Sequence, residues 1–219
     1  MDFSLYVNYA PLLTKGLVYT LYVCSMSLLI SVSGGLLIYG LSRIKLIVAK
    51  VFYAAYLTLF RGTPLLVQVY LLFYGGPFIG IELSAEQVGI IGLGLYGSAY
   101  FAEIYRSGFA NIPKGQLESA FDLGFSKLQI LIRVQLPQML GLIIPPGINQ
   151  SIILVKESAI LSIITVPEIT KAAISMATQT FTVVEPYLFL AVAYWIITFA
   201  LSRVGRWSES YATRYLARS

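Results

Sequence analysis

Long apolar runs, separated by short polar or basic segments, dominate the chain. Five runs approach or exceed the about 20 residues that a helix needs to cross the hydrocarbon core of a bilayer. They cover 17–41, 51–73, 88–104, 140–164 and 187–201. This pattern predicts an all-α fold: a polytopic membrane helical bundle with five transmembrane helices and a single transmembrane domain over 1–219.

Two of the five runs are interrupted. Arg61-Gly62-Thr63-Pro64 breaks the second run, and Pro145-Pro146 and Lys156-Glu157 break the fourth. Proline removes a backbone donor, and glycine relaxes the backbone. We therefore expect the second and fourth spans to be broken helices.

The composition agrees with a membrane location. Of 219 residues, 58% are hydrophobic and 11% are charged, whereas soluble domains contain about 25% charged residues. The chain has no histidine and one cysteine, Cys24, so an internal disulfide is excluded and a resident metal is not expected. A membrane-embedded hydrolase is a further functional hypothesis, but the chain offers such an enzyme no histidine, one cysteine in an apolar run and only scattered carboxylates.

The basic residues set the expected orientation. With the N-terminus outside and the C-terminus in the cytoplasm, eleven Lys and Arg residues face the cytoplasm and two face outside. Positive residues favour the cytoplasmic side. The net charge of +5 thus needs no nucleic acid as a partner.

Glycine is dense in the third run, at 89, 92, 94 and 97. The stretch 92–97 also matches G-x-G-x-x-G, the dinucleotide fingerprint. That fingerprint needs a preceding strand, whereas small residues let membrane helices approach closely. We interpret these glycines as packing residues.

A more polar segment, 107–137, lies between the third and fourth runs. Its apolar spacing predicts a short helix over 116–123, which Gly124 ends. Ser126 and Gln129 are spaced as a capping box for a second helix, and Leu136-Pro137 opens the fourth span. The segment is either a solvated hairpin or a helix that docks on a cytoplasmic partner.

The same segment resembles the E-A-A loop of ABC-importer permeases. Glu118-Ser119-Ala120 corresponds to Glu-Ala-Ala, Gly124 to the glycine that follows, and Val134-Gln135-Leu136-Pro137 to I-x-L-P, with unbroken spacing. Ser119 and Val134 are mild departures from the pattern. Stretches 61–68, 99–106, 112–116, 147–150 and 156–159 extend the resemblance to polar amino-acid permeases over nearly the whole chain.

The resemblance implies a type I importer core and several partners. These are a cytoplasmic ABC ATPase subunit, a second permease subunit, identical or related, and an extracytoplasmic amino-acid-binding protein, all assembled at a bacterial inner membrane. The chain contains no G-x-x-x-x-G-K-[ST] stretch, so ATP and Mg would bind on the partner subunit. The resemblance assigns the contact with the ATPase to six residues: Glu118, Ser119, Ala120, Gly124, Leu136 and Pro137.

Charged groups within spans mark a candidate substrate site. Glu157 either faces a central cavity, where it holds a substrate amino group or cationic side chain, or pairs with a basic residue such as Arg61. Three polar residues could line the same cavity: Asn149, Ser98 and Thr63. Arg61, at the break in the second span, is a further candidate substrate-binding residue if the kink lines an internal path, and a packing residue otherwise. Glu103 and Arg106, near the inner end of the third span, are interpreted as a shallow anchor pair.

Two functional hypotheses remain. The first is an ATP-driven importer subunit for a cationic or polar amino acid. The second is a gradient-driven secondary transporter or channel, which would need no ATPase and would leave the E-A-A-like loop unexplained.

Overall fold

The computed structural model describes residues 4–212, which form a bundle of α-helices with short π and 3₁₀ turns. The helices are α1 (Ser4–Ser42), α2 (Ile47–Gly62), α3 (Leu65–Tyr70, continued by turns to Ile79), α4 (Ala85–Ala110), α5 (Lys114–Asp122), α6 (Lys127–Ile130, continued to Gln135), α7 (Leu136–Glu157, continued to Ile164), α8 (Ile169–Thr180) and α9 (Val184–Ala212).

Among the described residues, four helices are long and apolar enough to cross a membrane, namely α1, α4, α9 and the α6–α7 helix from Lys127 to Ile164. The α2–α3 pair, bent by 105°, is long and apolar enough to give a fifth span if its two helices are counted as one. The expected break in the second span is therefore confirmed at Thr63-Pro64, where the backbone is extended. The other spans are longer than the apolar runs alone predicted.

The fourth span differs from the expectation in two ways. Helix α7 runs unbroken through Pro145 and Pro146, so the predicted break there is wrong. Membrane helices tolerate proline where neighbouring helices stabilise the bend. The span also does not open at Leu136-Pro137, because the helix that Ser126 caps continues through these residues. Its break falls after Glu157, where α7 passes into a 3₁₀ turn.

Helices α1 and α4 pack closely through small residues. A Cβ atom added to Gly94 would lie 2.6 Å from Ile30 Cγ2, and one added to Gly97 would collide with Ser31. Ser98 Oγ donates to the Ile30 carbonyl at 3.1 Å, and Ser27 Oγ donates to the Ile90 carbonyl at 3.2 Å. The glycines of the G-x-G-x-x-G stretch thus serve helix packing.

Helix α8, which the sequence analysis did not predict, packs between α1 and α9. Its N-cap is Glu168, a fully buried carboxylate that accepts the Thr170 and Lys171 backbone N–H groups at 2.8 and 2.7 Å. Ile169 N–H donates to Thr20 Oγ1 at 3.0 Å. These bonds fix the start of α8 against α1.

Candidate functional site

The break between α2 and α3 is closed by side-chain hydrogen bonds. Gln68 Nε2 lies 2.9 Å from Thr63 Oγ1 and 3.1 Å from both the Phe60 and Thr63 carbonyls. Thr63 Oγ1 itself donates to the Leu59 carbonyl at 2.7 Å. The carbonyls that Pro64 leaves without helical donors thereby accept side-chain hydrogen bonds. Thr63 thus helps to stabilise the bend.

Arg61, the last cation before the bend, turns toward α4. Its guanidinium lies 3.8 Å from a Glu103 carboxylate oxygen and 5.4 Å from the centre of the Tyr100 ring. Glu103 also pairs with Arg106 on the next turn, with Arg106 Nε 2.7 Å from Glu103 Oε1. The Tyr53 hydroxyl donates to Glu103 at 3.3 Å. The predicted Glu103–Arg106 pair is thus present, while the alternative pairing of Arg61 with Glu157 is wrong.

Two tyrosines lie one turn apart on α4, and Arg61 contacts the second of them. The hydroxyls of Tyr96 and Tyr100 lie 3.2 Å apart, and their ring centres are separated by 4.9 Å. Glu157 is the last residue of α7, a helix that packs on α4. We call these five residues the α4 cluster: Arg61, Tyr96, Tyr100, Glu103 and Glu157.

The Glu157 carboxylate is only partly buried. Within residues 4–209, no hydrogen bond or ion pair to it is found. An ionised group without a partner inside a membrane span is unfavourable by about 2.5–3.5 kcal/mol. This carboxylate is therefore the group of the α4 cluster that a cation would stabilise most.

The remaining predicted site residues lie elsewhere. Ser98 is buried at the α1–α4 interface, where its hydroxyl donates to backbone carbonyls. Asn149 is exposed on α7, two turns before Glu157. Arg61 thus contacts α4 through Tyr100 and Glu103, whereas Ser98 faces α1.

Sequence reasoning missed three residues at or near this site. Tyr96 and Tyr100 carried one available signal, their i, i+4 spacing on a span. Gln150 is 4% exposed, and its Nε2 donor has no partner among the described residues. A glutamine inside the fourth apolar run was the signal for it.

The loop between the third and fourth spans has the predicted form, with small shifts. Helix α5 ends at Asp122, and Gly124 follows with a φ of +82°. The N–H groups of Gly124 and Phe125 donate back to the Phe121 and Ala120 carbonyls at 2.9 and 3.1 Å. This is the Schellman pattern that favours glycine. The capping box is present, with Ser126 N–H donating to Gln129 Oε1 at 2.8 Å.

Some apolar residues of this loop are buried against the bundle, and others are exposed. Ala120 is buried, whereas Phe121 is 66% and Leu123 is 77% exposed. Glu118 and Ser119 are exposed too, while Leu136 and Pro137 are partly buried in the following helix. The predicted single apolar face is therefore split, and its exposed half has no partner in this chain's described residues.

Among the described residues there is no group of three or more His, Cys, Asp or Glu side chains able to hold a metal ion. The site is thus a set of cationic, acidic and aromatic side chains on membrane helices.

Residues 31–212 match the family described as binding-protein-dependent transport system inner membrane component. A probable amino-acid ABC transporter permease of Bacillus subtilis, YckA, is 36% identical over 187 residues, or 85% of this chain and 83% of the relative. The L-cystine transport system permease TcyB of the same organism is 32% identical, with 96% and 91% covered.

A solved structure agrees with these relatives. The crystal structure of an amino acid ABC transporter with histidines superposes with a TM-score of 0.90 at 33% identity, covering 96% of this chain and 99% of that one. The predicted fold class, a membrane helical bundle with the core of a type I ABC importer permease, is confirmed. The chain belongs to the binding-protein-dependent transport system inner membrane component family, as an amino-acid ABC transporter permease.

Proposed function

We propose that this chain forms the translocation pathway of an ATP-driven importer for a cationic or polar amino acid. The observation that carries the proposal is Glu157, at the end of a membrane helix that packs on α4, because no hydrogen bond or ion pair to its carboxylate is found within residues 4–209. The family membership supplies the class of transporter, and Glu157 supplies the argument about the substrate.

Charge favours a substrate with a positive group at this site. An ammonium or guanidinium group would neutralise Glu157, and tyrosine faces attract cations within about 6 Å of the ring centre. An acidic side chain would meet repulsion in a medium that screens poorly. Arg61 does not remove this preference, because Glu103 already holds its guanidinium.

The remaining candidate residues take supporting places in the proposal. Thr63 lies at the α2–α3 break and Asn149 is exposed within the α6–α7 span, so each places a polar group on a membrane span. Broken helices near the midplane commonly form transport sites. Ser98 would act indirectly by holding α4 against α1.

We also propose that the 107–137 loop transmits the work of ATP hydrolysis. The partner would hold ATP and Mg and would cover the exposed side of α5, which presents Glu118, Ser119, Phe121 and Leu123. Ala120, Gly124, Leu136 and Pro137 would set the shape of this contact from within. A helix with exposed apolar residues fits a groove on a partner.

The complete importer, in this proposal, contains a second permease subunit and an extracytoplasmic binding protein. The single permease domain spans 1–219, with the N-terminus outside the cell membrane and the C-terminus in the cytoplasm. Helix α1 then runs inward and α5 lies on the cytoplasmic side, where an ATPase can reach it.

The test is purification of the chain with its ABC ATPase, followed by measurement of ATP hydrolysis. The binding protein loaded with a cationic or polar amino acid should stimulate hydrolysis, and the empty binding protein should stimulate it less. If instead the chain alone accumulates amino acids along an ion gradient, without any ATPase, the secondary-transporter alternative replaces the proposal.

A further inference from the structure

A cavity lies where two membrane spans end and the α5 loop begins. Its volume is about 400 Å³, and it is separate from the α4 cluster. The walls come from the last turns of α1 and α4, the start of α5, and the turn that continues α6. The residues that decide its chemistry are Tyr39, Arg43, Phe109, Lys114 and Gln135.

The cavity is positively charged. Arg43 and Lys114 both line it, and no acidic residue does. No salt bridge to either cation is found among the described residues. Arg106, which also lies near Tyr39, pairs with Glu103 and does not line the cavity. Arg43 interacts with the neutral Tyr39 hydroxyl, so the positive charges of Arg43 and Lys114 are not balanced there and favour an anion.

The floor of the cavity is apolar. The Tyr39 and Phe109 rings stack with centres 5.3 Å apart and planes inclined by 8°. Ile112 is buried beneath the α4–α5 turn, and Leu117 and Leu131 complete the lining. A ligand that fits both parts carries a negative group and an adjacent hydrocarbon portion.

The depth of the cavity points to the source of such a ligand. Helix α1 ends at Ser42 and α4 ends at Ala110, so the cavity lies at the level where lipid headgroups meet water. Basic pockets between membrane helices bind anionic lipid headgroups, and each nearby Lys or Arg contributes about 1 kcal/mol of attraction.

We propose that this cavity binds the phosphate headgroup of an anionic phospholipid. Arg43 and Lys114 would contact the phosphate, while the Tyr39–Phe109 stack would contact the upper part of an acyl chain. Because Lys114 is the first residue of α5, the bound lipid would join the end of α1 to the loop. This inference does not depend on which substrate is carried.

The test is native mass spectrometry of the purified full-length chain with phosphatidylglycerol added. The wild-type chain should retain phosphatidylglycerol, and phosphatidylcholine should be retained at least about tenfold less. Arg43→Gln combined with Lys114→Gln should lower phosphatidylglycerol retention by a similar factor. The matched control combines Lys45→Gln and Lys127→Gln, which removes two exposed cations that do not line the cavity.

Three results would overturn the proposal. The first is equal loss of retention in the two double variants, which would show a general charge effect. The second is equal retention of the two lipids by the wild-type chain, a comparison that stands even if a variant does not fold. The third is displacement of phosphatidylglycerol by millimolar inorganic phosphate, which would assign the cavity to a free anion.

Discussion

The guanidinium of Arg61 lies 3.8 Å from the carboxylate of Glu103, across the space between the α2 bend and α4. Glu103 is held by Arg106 at the same time, so one carboxylate serves two cations. Arg61 is therefore paired, whereas no ion pair to Glu157 is found within residues 4–209. The proposed preference for a cationic substrate depends on that difference.

Because Glu103 pairs with two cations, substitutions of Glu103 and of Arg61 should lower the yield of folded protein unequally. Glu103→Gln should reduce the yield of folded protein more than Arg61→Gln, because it leaves two cations side by side. Since the Arg61 and Glu103 side chains are 41% and 27% exposed, the difference should be modest, about 1 kcal/mol or less. Fluorescence-detected size exclusion in detergent measures the yield.

Combining the two substitutions provides the control. The double variant should recover part of the yield lost in Glu103→Gln, because the excess positive charge is reduced. Purely additive losses would show that the two side chains do not interact.

Gly124 should tolerate replacement poorly, whereas Gly115 should tolerate it well. Neither glycine has an atom within 4 Å of an added Cβ, but only Gly124 has a positive φ, +82°. A non-glycine residue in that conformation is less stable by about 1–2 kcal/mol. Gly124→Leu should therefore weaken association with the ATPase, and Gly115→Leu should leave it intact, as measured by co-purification.

A rescue variant separates backbone strain from lost contact. Gly124→Asn should restore most of the association, because asparagine adopts positive φ more readily than leucine. If Gly124→Leu assembles and transports as the wild type does, the loop has no docking role.

Close packing of α1 on α4 predicts a large effect of one methyl group. Gly94→Ala places its Cβ 2.6 Å from Ile30, whereas Gly40→Ala meets nothing within 4 Å. Overpacking usually destabilises by about 1–3 kcal/mol. Thermal unfolding in detergent should show a lower midpoint for Gly94→Ala only, and an unchanged midpoint would mean that the two helices separate easily.

Much of the fold follows from local patterns. The five apolar runs lie within the spans, and the α5 helix, its glycine stop and the Ser126–Gln129 capping box all depend on residues within a few positions of one another. Such features are encoded locally, so the sequence was sufficient to predict them.

The structural features that were predicted wrongly or not predicted have different physical origins. Proline weakens a helix by local chemistry, but neighbouring helices preserve α7 through Pro145-Pro146. Helix α8 is short, and its start depends on Thr20, which is 149 positions away from Ile169 in the chain. The Arg61–Glu103 pair likewise joins separate spans, so no spacing rule identifies Glu103 rather than Glu157 as the partner.

Orientation can be tested with single cysteines. After Cys24→Ser removes the only native cysteine, Glu82→Cys should react with an impermeant maleimide added outside intact cells. Gln116→Cys should react only after the membrane is opened. Both positions are exposed, and the excess of basic residues around position 116 motivates the expectation. Labelling of position 116 in intact cells would reverse the proposed topology.

The proposed preference for a cationic or polar amino acid depends on the charge of Glu157. Glu157→Gln removes that charge while keeping the shape of the side chain. The decisive measurement is ATP-dependent uptake of arginine, glutamine and glutamate into proteoliposomes that contain the whole importer, with the binding protein saturated by each amino acid. The account predicts that the wild type prefers arginine or glutamine to glutamate, and that Glu157→Gln selectively lowers arginine uptake, by about tenfold if one charge interaction is lost. Equal arginine uptake by both forms, or a wild type that prefers glutamate, would contradict it.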